Sequence, residues 1–319
     1  MPELVRITDV SPRDGLQNEP GIIPTGDKVQ LVRMLMQTGV DEVEVTSFVS
    51  RKWVPQLGDA GEVFQALAAA EPPAAYPLLS ALVPNERGLE GLLDVNRAAG
   101  RRLVGKVSVF TAASETFALR NTNASIAETL ERFEPVVRRA RAEGLATRGY
   151  VSCAIACPFE GPIDPARVAE VASRLLDLGV SEVDLGDTIG AGTPESVRVL
   201  LEHVHRLVAV RDRANTLTLH LHDTFGRAAA CVREALRLGV RSFDGSVSGL
   251  GGCPYAAKKL PDGTTQRAPG NISTETLVRT IHDAGLRTNV DLDALEQAAA
   301  LARAIVTDSR SSADGGGAS

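Results

Sequence analysis

The sequence contains few cysteines and no surplus of basic residues. Four cysteines occur among 319 residues, at Cys153, Cys157, Cys231 and Cys253, and they do not indicate a disulfide framework in a chain of this length. Cys153 and Cys157 lack a second Cys or Cys/His pair that would complete a structural zinc site. The formal net charge is −6, so the composition does not favour a nucleic-acid partner.

Long hydrophobic runs are also lacking. No stretch approaches the roughly 18 apolar residues that a membrane span requires. The first ten residues, MPELVRITDV, lack the apolar core of a signal peptide. We therefore expect no membrane partner, a cytoplasmic location and reduced thiols.

Short β-branched runs alternate with amphipathic segments along the chain, which predicts eight strand–helix units. The predicted strands are residues 4–10, 42–46, 76–82, 104–110, 147–152, 182–185, 216–221 and 241–247. Eight such units predict an α/β fold of the (β/α)8 TIM-barrel type, with an extra C-terminal helix at residues 292–305. A doubly wound sheet is disfavoured because no GxGxxG follows the first strand. We expect one domain over residues 1–305 and a disordered polar tail over residues 306–319.

The ends of the predicted strands carry the polar residues that a barrel active site requires. His220 and His222 are two apart on a strand, so both side chains would face inward. Asp14 follows the first strand, and Asn271 follows the eighth and could add an amide oxygen. This mixed nitrogen and oxygen set favours one divalent ion, Mg²⁺ or Mn²⁺, with zinc as a further option.

Three charged residues near this predicted metal site have catalytic interpretations. Arg13 could form an ordinary surface ion pair with Asp14, or could stabilise an enolate oxygen in a transition state. Glu44 and Asp187 are interpreted as buried carboxylates that hold Arg13 and the metal ligands.

Cys253 lies in the glycine-rich sequence GLGGCPYA (residues 249–256). A free cysteine is often only a small buried apolar residue. Because no base partner is evident, the interpretation we favour is a protonated thiol acting as a general acid rather than a nucleophile.

Six motifs together resemble the 3-hydroxy-3-methylglutaryl-CoA lyase family. They are PRDGLQNE (12–19), EVTSFVSRKWVPQLGD (44–59), RGYVSCAIACPFEG (148–161), LGDTIGAGTP (185–194), HLHDTFG (220–226) and GLGGCPYA (249–256). They occur in the family's order, and the resemblance covers residues 5 to 300.

The resemblance implies a TIM-barrel enzyme that binds an acyl-CoA thioester, and it implies a homodimer. It implies retro-Claisen cleavage of 3-hydroxy-3-methylglutaryl-CoA to acetyl-CoA and acetoacetate. The metal ligands would be Asp14, His220, His222 and Asn271. Arg13 would stabilise the enolate, Cys253 would protonate it, and Glu44 and Asp187 would support the site. Either His220 or Asp14 would accept the hydroxyl proton.

The loop between Cys253 and Asn271 departs from the family pattern. Relatives resemble the short GCPYAxGAxGN, whereas this chain has the longer AAKKLPDGTTQRAPGN before and through Asn271. The insertion, residues 258–267, suggests altered substrate selectivity. The alternatives are therefore a sister lyase for another 3-hydroxy-3-substituted glutaryl-CoA or citramalyl-CoA, a Claisen-condensing synthase, and a catalytically silent paralogue.

Overall fold

Strands and helices alternate in the computed structural model, which describes residues 3–69, 77–207, 216–252, 258–259, 265–266 and 269–315. The strands are β1 (Arg6–Asp9), β2 (Glu42–Ser47), β3 (Leu78–Leu82), β4 (Lys106–Ala112), β5 (Ala146–Ser152), β6 (Ala156–Cys157), β7 (Gly161–Pro162), β8 (Glu182–Asp187), β9 (Leu217–Leu221), β10 (Ser242–Gly245), β11 (Lys258–Lys259) and β12 (Thr265–Gln266). The helices are α1 (Thr25–Leu35), α2 (Ala60–Ala68), α3 (Glu86–Ala98), α4 (Glu115–Thr122), α5 (Ile126–Ala142), α6 (Pro165–Leu178), α7 (Pro194–Leu207), α8 (Ala228–Arg237), α9 (Thr274–Asp283) and α10 (Leu292–Gly315).

Eight of the described strands form a closed parallel barrel in the order β1-β10-β9-β8-β5-β4-β3-β2. The first and last barrel strands close it, with Ile7 opposite Phe243 and Asp9 opposite Gly245. The predicted (β/α)8 barrel with a C-terminal helix is confirmed. In this fold, the loops after the strands meet at one rim, where a site can be assembled from distant parts of the sequence.

Residues at the helix ends explain where the helices begin and end between the strands. Ser125 and Glu128 form a reciprocal capping box at the start of α5, which satisfies two otherwise unpaired N–H groups. Gly179 ends α6 with a φ of +100°, a left-handed conformation that glycine adopts without a steric penalty. Such a stop allows the chain to turn directly into the next strand.

The barrel interior contains a network of buried charges. Arg148 on β5 is only 1% exposed. Its guanidinium lies 2.6 Å from Glu182, 3.0 Å from Asp244 and 3.4 Å from Glu42. Lys106 on β4 also pairs with Glu182 and Glu42. Because water barely reaches these groups, each charge depends on its partners for stabilisation.

The C-terminal helix is longer than predicted, and the prediction of a disordered tail is wrong for residues 306–315. Helix α10 continues to Gly315, and only residues 316–319 of that tail lie outside the described residues. The polar composition of this segment is typical of disorder, but Ser309 and Arg310 form hydrogen bonds with the loop that follows β1. These contacts give the polar segment a surface to fold against.

Some small elements were not anticipated from periodicity. These are α4, the antiparallel pair β6–β7, and the antiparallel pair β11–β12 within the insertion. Among the described residues, no helix combines the length and apolar character needed to cross a bilayer.

The interior network predicts that replacing a buried arginine lowers the free energy of unfolding far more than replacing an exposed one. Arg148→Met should lower the free energy of unfolding by about 3–5 kcal/mol, because it leaves buried carboxylates without their cation. The matched control is Arg138→Met, which removes an exposed helical pair with Glu134 worth only about 0.3–0.5 kcal/mol. Denaturant unfolding of both variants measures this difference, and equal losses would contradict a structural role for the network.

Candidate metal and catalytic site

Asp14, His220 and His222 converge at the rim where the barrel strands end. One ligand atom from each lies within 4.8 Å of the other two. The two histidine Nε2 atoms are 3.3 Å apart. Metal–nitrogen bonds of about 2.1 Å at right angles would place two ligand atoms about 3 Å apart, so this spacing suits two ligands of one ion.

Asn271 is held beside this cluster by both its backbone and its side chain. Its backbone forms an isolated bridge with His222. Its Nδ2 donates to Asp14 Oδ2 and to the Leu250 carbonyl, each at 2.9 Å. Its Oδ1 is buried and has no hydrogen-bond partner within the described residues. A buried oxygen without a donor fits a fourth ligand atom, since such atoms are costly unless something satisfies them.

The protonation states of Asp14 and His222 also suit a cation. Burial lowers the pKa of the third member, His220, but its contacts with Asp244 and Asp14 outweigh burial and raise it. Burial alone would raise the pKa of Asp14, but Arg13 and the two histidines lower it to about 2. Burial and the neighbouring His220 lower the pKa of His222 to about 4. An ionised carboxylate and a neutral imidazole are the forms that bind metals. The described residues therefore fit a divalent ion.

Asp244 on β10 is a functional residue that the sequence analysis missed. Its Oδ2 accepts a hydrogen bond from His220 Nδ1 at 3.1 Å, which leaves Nε2 directed at the cluster. Burial opposes ionisation of Asp244, but Arg148, His220 and Asp184 together outweigh burial and hold the pKa of Asp244 below its ordinary value. Strand alternation around Phe243 was the available signal, because it places an acidic side chain inside the barrel.

Tyr150 on β5 was also missed and connects the two arginines of the site. The guanidinium carbons of Arg13 and Arg148 lie 5.5 and 5.6 Å from its ring centroid. Its hydroxyl accepts from Arg148 Nη1 at 3.2 Å and donates to Asp244 Oδ2 at 3.3 Å. Tyr150 therefore packs Arg13 against the groups that orient His220.

Arg13 lies in the helical turn Ser11–Gly15 beside the ligand cluster and is 7% exposed. Its Nε donates to Glu44 Oε2 at 2.5 Å, and its Nη1 donates to Asp14 Oδ1 at 2.7 Å. These two carboxylates fix the plane of the guanidinium. The structure thus brings Glu44 to Arg13, and the ion pair between Arg13 and Asp14 is present but largely buried rather than exposed.

Asp187 has a different set of contacts from those expected. Its carboxylate accepts hydrogen bonds from the backbone N–H groups of Ala191 and Gly192 at 3.0 and 2.7 Å. Burial raises the pKa of Asp187 to about 6 despite these bonds. Asp187 therefore shapes the loop between β8 and α7, and Arg13 is held by Glu44 and Asp14 instead.

Cys253 itself lies outside the described residues, as does most of the insertion. The residues just before it are described, and Asn18 Nδ2 donates to the Gly252 carbonyl at 3.3 Å. The start of the Cys253 loop therefore lies against the loop that carries Arg13 and Asp14.

Known proteins that are similar to this chain indicate its family. The HMGL-like family model matches residues 4–302. The chain belongs to the HMGL-like family. It is 45% identical to a mitochondrial hydroxymethylglutaryl-CoA lyase of Bos taurus over 94% of this chain and 85% of that protein.

Solved structures support the same family. The HMG-CoA lyase of Brucella melitensis has a TM-score of 0.84 and 43% identity, covering 96% of this chain and all of that chain. An HMG-CoA lyase of Acinetobacter baumannii, solved with coenzyme A and 3-methylmalate, has a TM-score of 0.82 and 33% identity, covering 95% of this chain and 92% of that chain.

The contact between Asp244 and His220 predicts a metal-affinity effect. Asp244→Asn should weaken Mn²⁺ binding by about 10–100-fold, because the carboxylate no longer fixes the histidine tautomer and ring orientation. Calorimetric titration of metal-free protein measures this change.

Asp184→Asn is the matched control for Asp244→Asn. Burial and the neighbouring charge of Asp244 raise the pKa of Asp184 well above its ordinary value. An amide has nearly the same size as the carboxyl and, within the described residues, makes no contact with a candidate ligand of the cluster, so this control should keep the original affinity. An unchanged affinity in Asp244→Asn would show that His220 needs no carboxylate partner.

Proposed function

We propose that this protein cleaves 3-hydroxy-3-methylglutaryl-CoA to acetyl-CoA and acetoacetate. The observation that carries this proposal is the convergence of Asp14, His220 and His222 beside a buried Arg13 at the barrel rim. Relatives about 45% identical over nearly the whole chain are named as lyases of this substrate. The coenzyme A complex of the Acinetobacter relative supports an acyl-CoA ligand.

Asp14, His220, His222 and Asn271 would hold the divalent ion that the site accommodates. Carboxylate and amide oxygens with two imidazoles favour Mg²⁺ or Mn²⁺, and zinc is a further option. Such an ion would polarise substrate oxygens and lower the pKa of the tertiary hydroxyl. Asp14 and His220 are the two groups of this chain proposed to accept the hydroxyl proton.

Arg13 would stabilise the negative charge that develops on the thioester oxygen when the C2–C3 bond breaks. Glu44 and Asp14 hold its guanidinium in place, so little reorganisation is needed as the enolate forms. Cys253 is proposed from the sequence to protonate the enolate carbon, giving acetyl-CoA. Glu44 supports this chemistry through Arg13, and Asp187 supports it by shaping the loop after β8.

A cytoplasmic homodimer is also proposed. Relatives from rat and mouse are named cytoplasmic lyases, whereas the bovine relative is named mitochondrial. The dimer is an implication of the family resemblance, and light scattering of the purified protein would measure the assembly.

A related acyl-CoA substrate is the second candidate, and the insertion favours it. The described parts of residues 258–267 form the antiparallel pair β11–β12, so the insertion adds a ribbon to the loop that carries Cys253. A loop that closes over substrate excludes water from the enolate. A longer loop would change which acyl group the site accepts.

A thioester panel tests both candidates. Purified protein with Mg²⁺ is expected to release acetyl-CoA from 3-hydroxy-3-methylglutaryl-CoA, and deletion of residues 258–267 should shift the kcat/KM ratio between this substrate and citramalyl-CoA. Quantifying both products by mass spectrometry checks the reaction. No cleavage of any thioester would contradict the lyase proposal, and an unchanged ratio would show that the ribbon does not select substrate.

The proposed roles predict that two inactive variants differ in their bound metal. His222→Ala should lose bound metal and activity together. Arg13→Met should keep its metal but lose about 10² or more in kcat, like loss of an oxyanion donor. Metal analysis beside steady-state kinetics separates these outcomes. If Arg13→Met raised only KM, Arg13 would bind substrate without stabilising the transition state.

A further inference from the structure

The last turns of helix α10 contact the loop over residues 16–24, here named the β1 loop. Arg310 donates from Nε and Nη2 to the two carboxylate oxygens of Glu19, both at 2.9 Å. Ser309 Oγ donates to the Gly21 carbonyl at 2.8 Å. The backbones also pack closely, because a Cβ on Gly21 would lie 2.3 Å from the Ser309 carbonyl oxygen. The helix and the β1 loop therefore fit closely.

The same helix holds a second rim segment. Arg303 Nη1 donates to Ser248 Oγ at 2.8 Å, and Ser248 Oγ donates to the Ala299 carbonyl at 3.1 Å. Ser248 has a left-handed φ of +59°, which is unfavourable for a residue other than glycine unless its surroundings stabilise it. This segment continues through Gly252 to Cys253.

Both segments are directly connected to the candidate site. The β1 loop begins immediately after the turn Ser11–Gly15 that carries Arg13 and Asp14. The two segments also touch, through the bond from Asn18 to the Gly252 carbonyl. Helix α10 therefore supports, from outside the barrel, the loops that carry the predicted enolate-stabilising residue and the predicted acid.

The Glu19–Arg310 pair is more than an ordinary surface ion pair. The Glu19 side chain is 3% exposed, although that of Arg310 is 50% exposed. Removing the arginine takes a bidentate counter-charge from a carboxylate that water barely reaches, which costs more than breaking an exposed pair. The two parallel N–H···O bonds also fix orientation in a way that a lysine cannot reproduce.

We propose that Arg310 is a positioning residue that holds the β1 loop through Glu19 and thereby places Arg13 and Asp14. The catalytic part of this inference rests on the proposed lyase function. The loop and metal-binding parts do not. A shift of about 1 Å in a positioned group can cost up to about 10²-fold in rate, so a surface helix can matter to the chemistry.

Three variants test this role: Arg310→Met, Glu19→Gln and the double variant. Arg310→Met should increase hydrogen–deuterium exchange in peptides covering residues 16–24, weaken Mn²⁺ binding about tenfold and lower kcat about tenfold. Glu19→Gln in the Arg310→Met background should restore much of each loss, because a neutral amide does not need the counter-charge that Arg310 supplies. A simple loss of helix packing would not be rescued by a change on the partner loop.

The matched control is Arg279→Met, which removes the exposed pair between α9 and Glu296 of α10 and should leave all three measurements unchanged. Unchanged exchange and Mn²⁺ affinity in Arg310→Met would overturn the proposal, as would a double variant no better than the single one. If the wild-type protein cleaved no thioester, the proposed lyase function would be wrong. The hydrogen–deuterium exchange and Mn²⁺-binding measurements would still test the positioning role of Arg310.

Discussion

The ion pair between Arg148 and Asp244 is the interaction on which the candidate site most depends. It lies inside the barrel, where both side chains are buried. Together with the hydrogen bonds from His220 and Asp184, it lowers the pKa of Asp244 despite the cost of burial. An ionised Asp244 can only accept hydrogen bonds, so His220 must donate from Nδ1 and direct Nε2 to the rim. The charge of the buried Asp244 thus determines which nitrogen of His220, a candidate ligand, points to the rim.

The arrangement also explains why so many acidic groups can lie together. Arg13 binds Glu44 and Asp14 at the rim, while Arg148 binds the acids deeper in the barrel. Tyr150 separates the two cations and packs against each of them. The two arginines balance different layers of carboxylates, so Asp14 can remain ionised as a candidate ligand.

The sequence was sufficient for the barrel, and it also predicted that the candidate metal ligands lie together, because both follow from local rules. Strand–helix alternation predicted the fold, and the two-residue spacing of His220 and His222 predicted a shared face. Strand alternation can place Asp244 inside the barrel, but the importance of Asp244 and Tyr150 depends on neighbours far apart in sequence. The folded end of α10 was missed for the same reason: its polar composition looks disordered until Glu19 is placed beside Arg310.

The candidate site is consequently supported from two sides, the barrel interior and the C-terminal helix, which differ in how strongly salt screens their charges. Asp244 acts from the barrel interior, where added salt screens charges only weakly. Arg310 acts from a half-exposed position, but its partner Glu19 is buried, so the pair is screened less than an ordinary surface bridge. Because Asp14 lies between these supports, its position reflects both the interior network and the C-terminal helix. The proposed role of Arg310 therefore implies that sequence changes at the end of the chain alter metal binding without changing a candidate ligand.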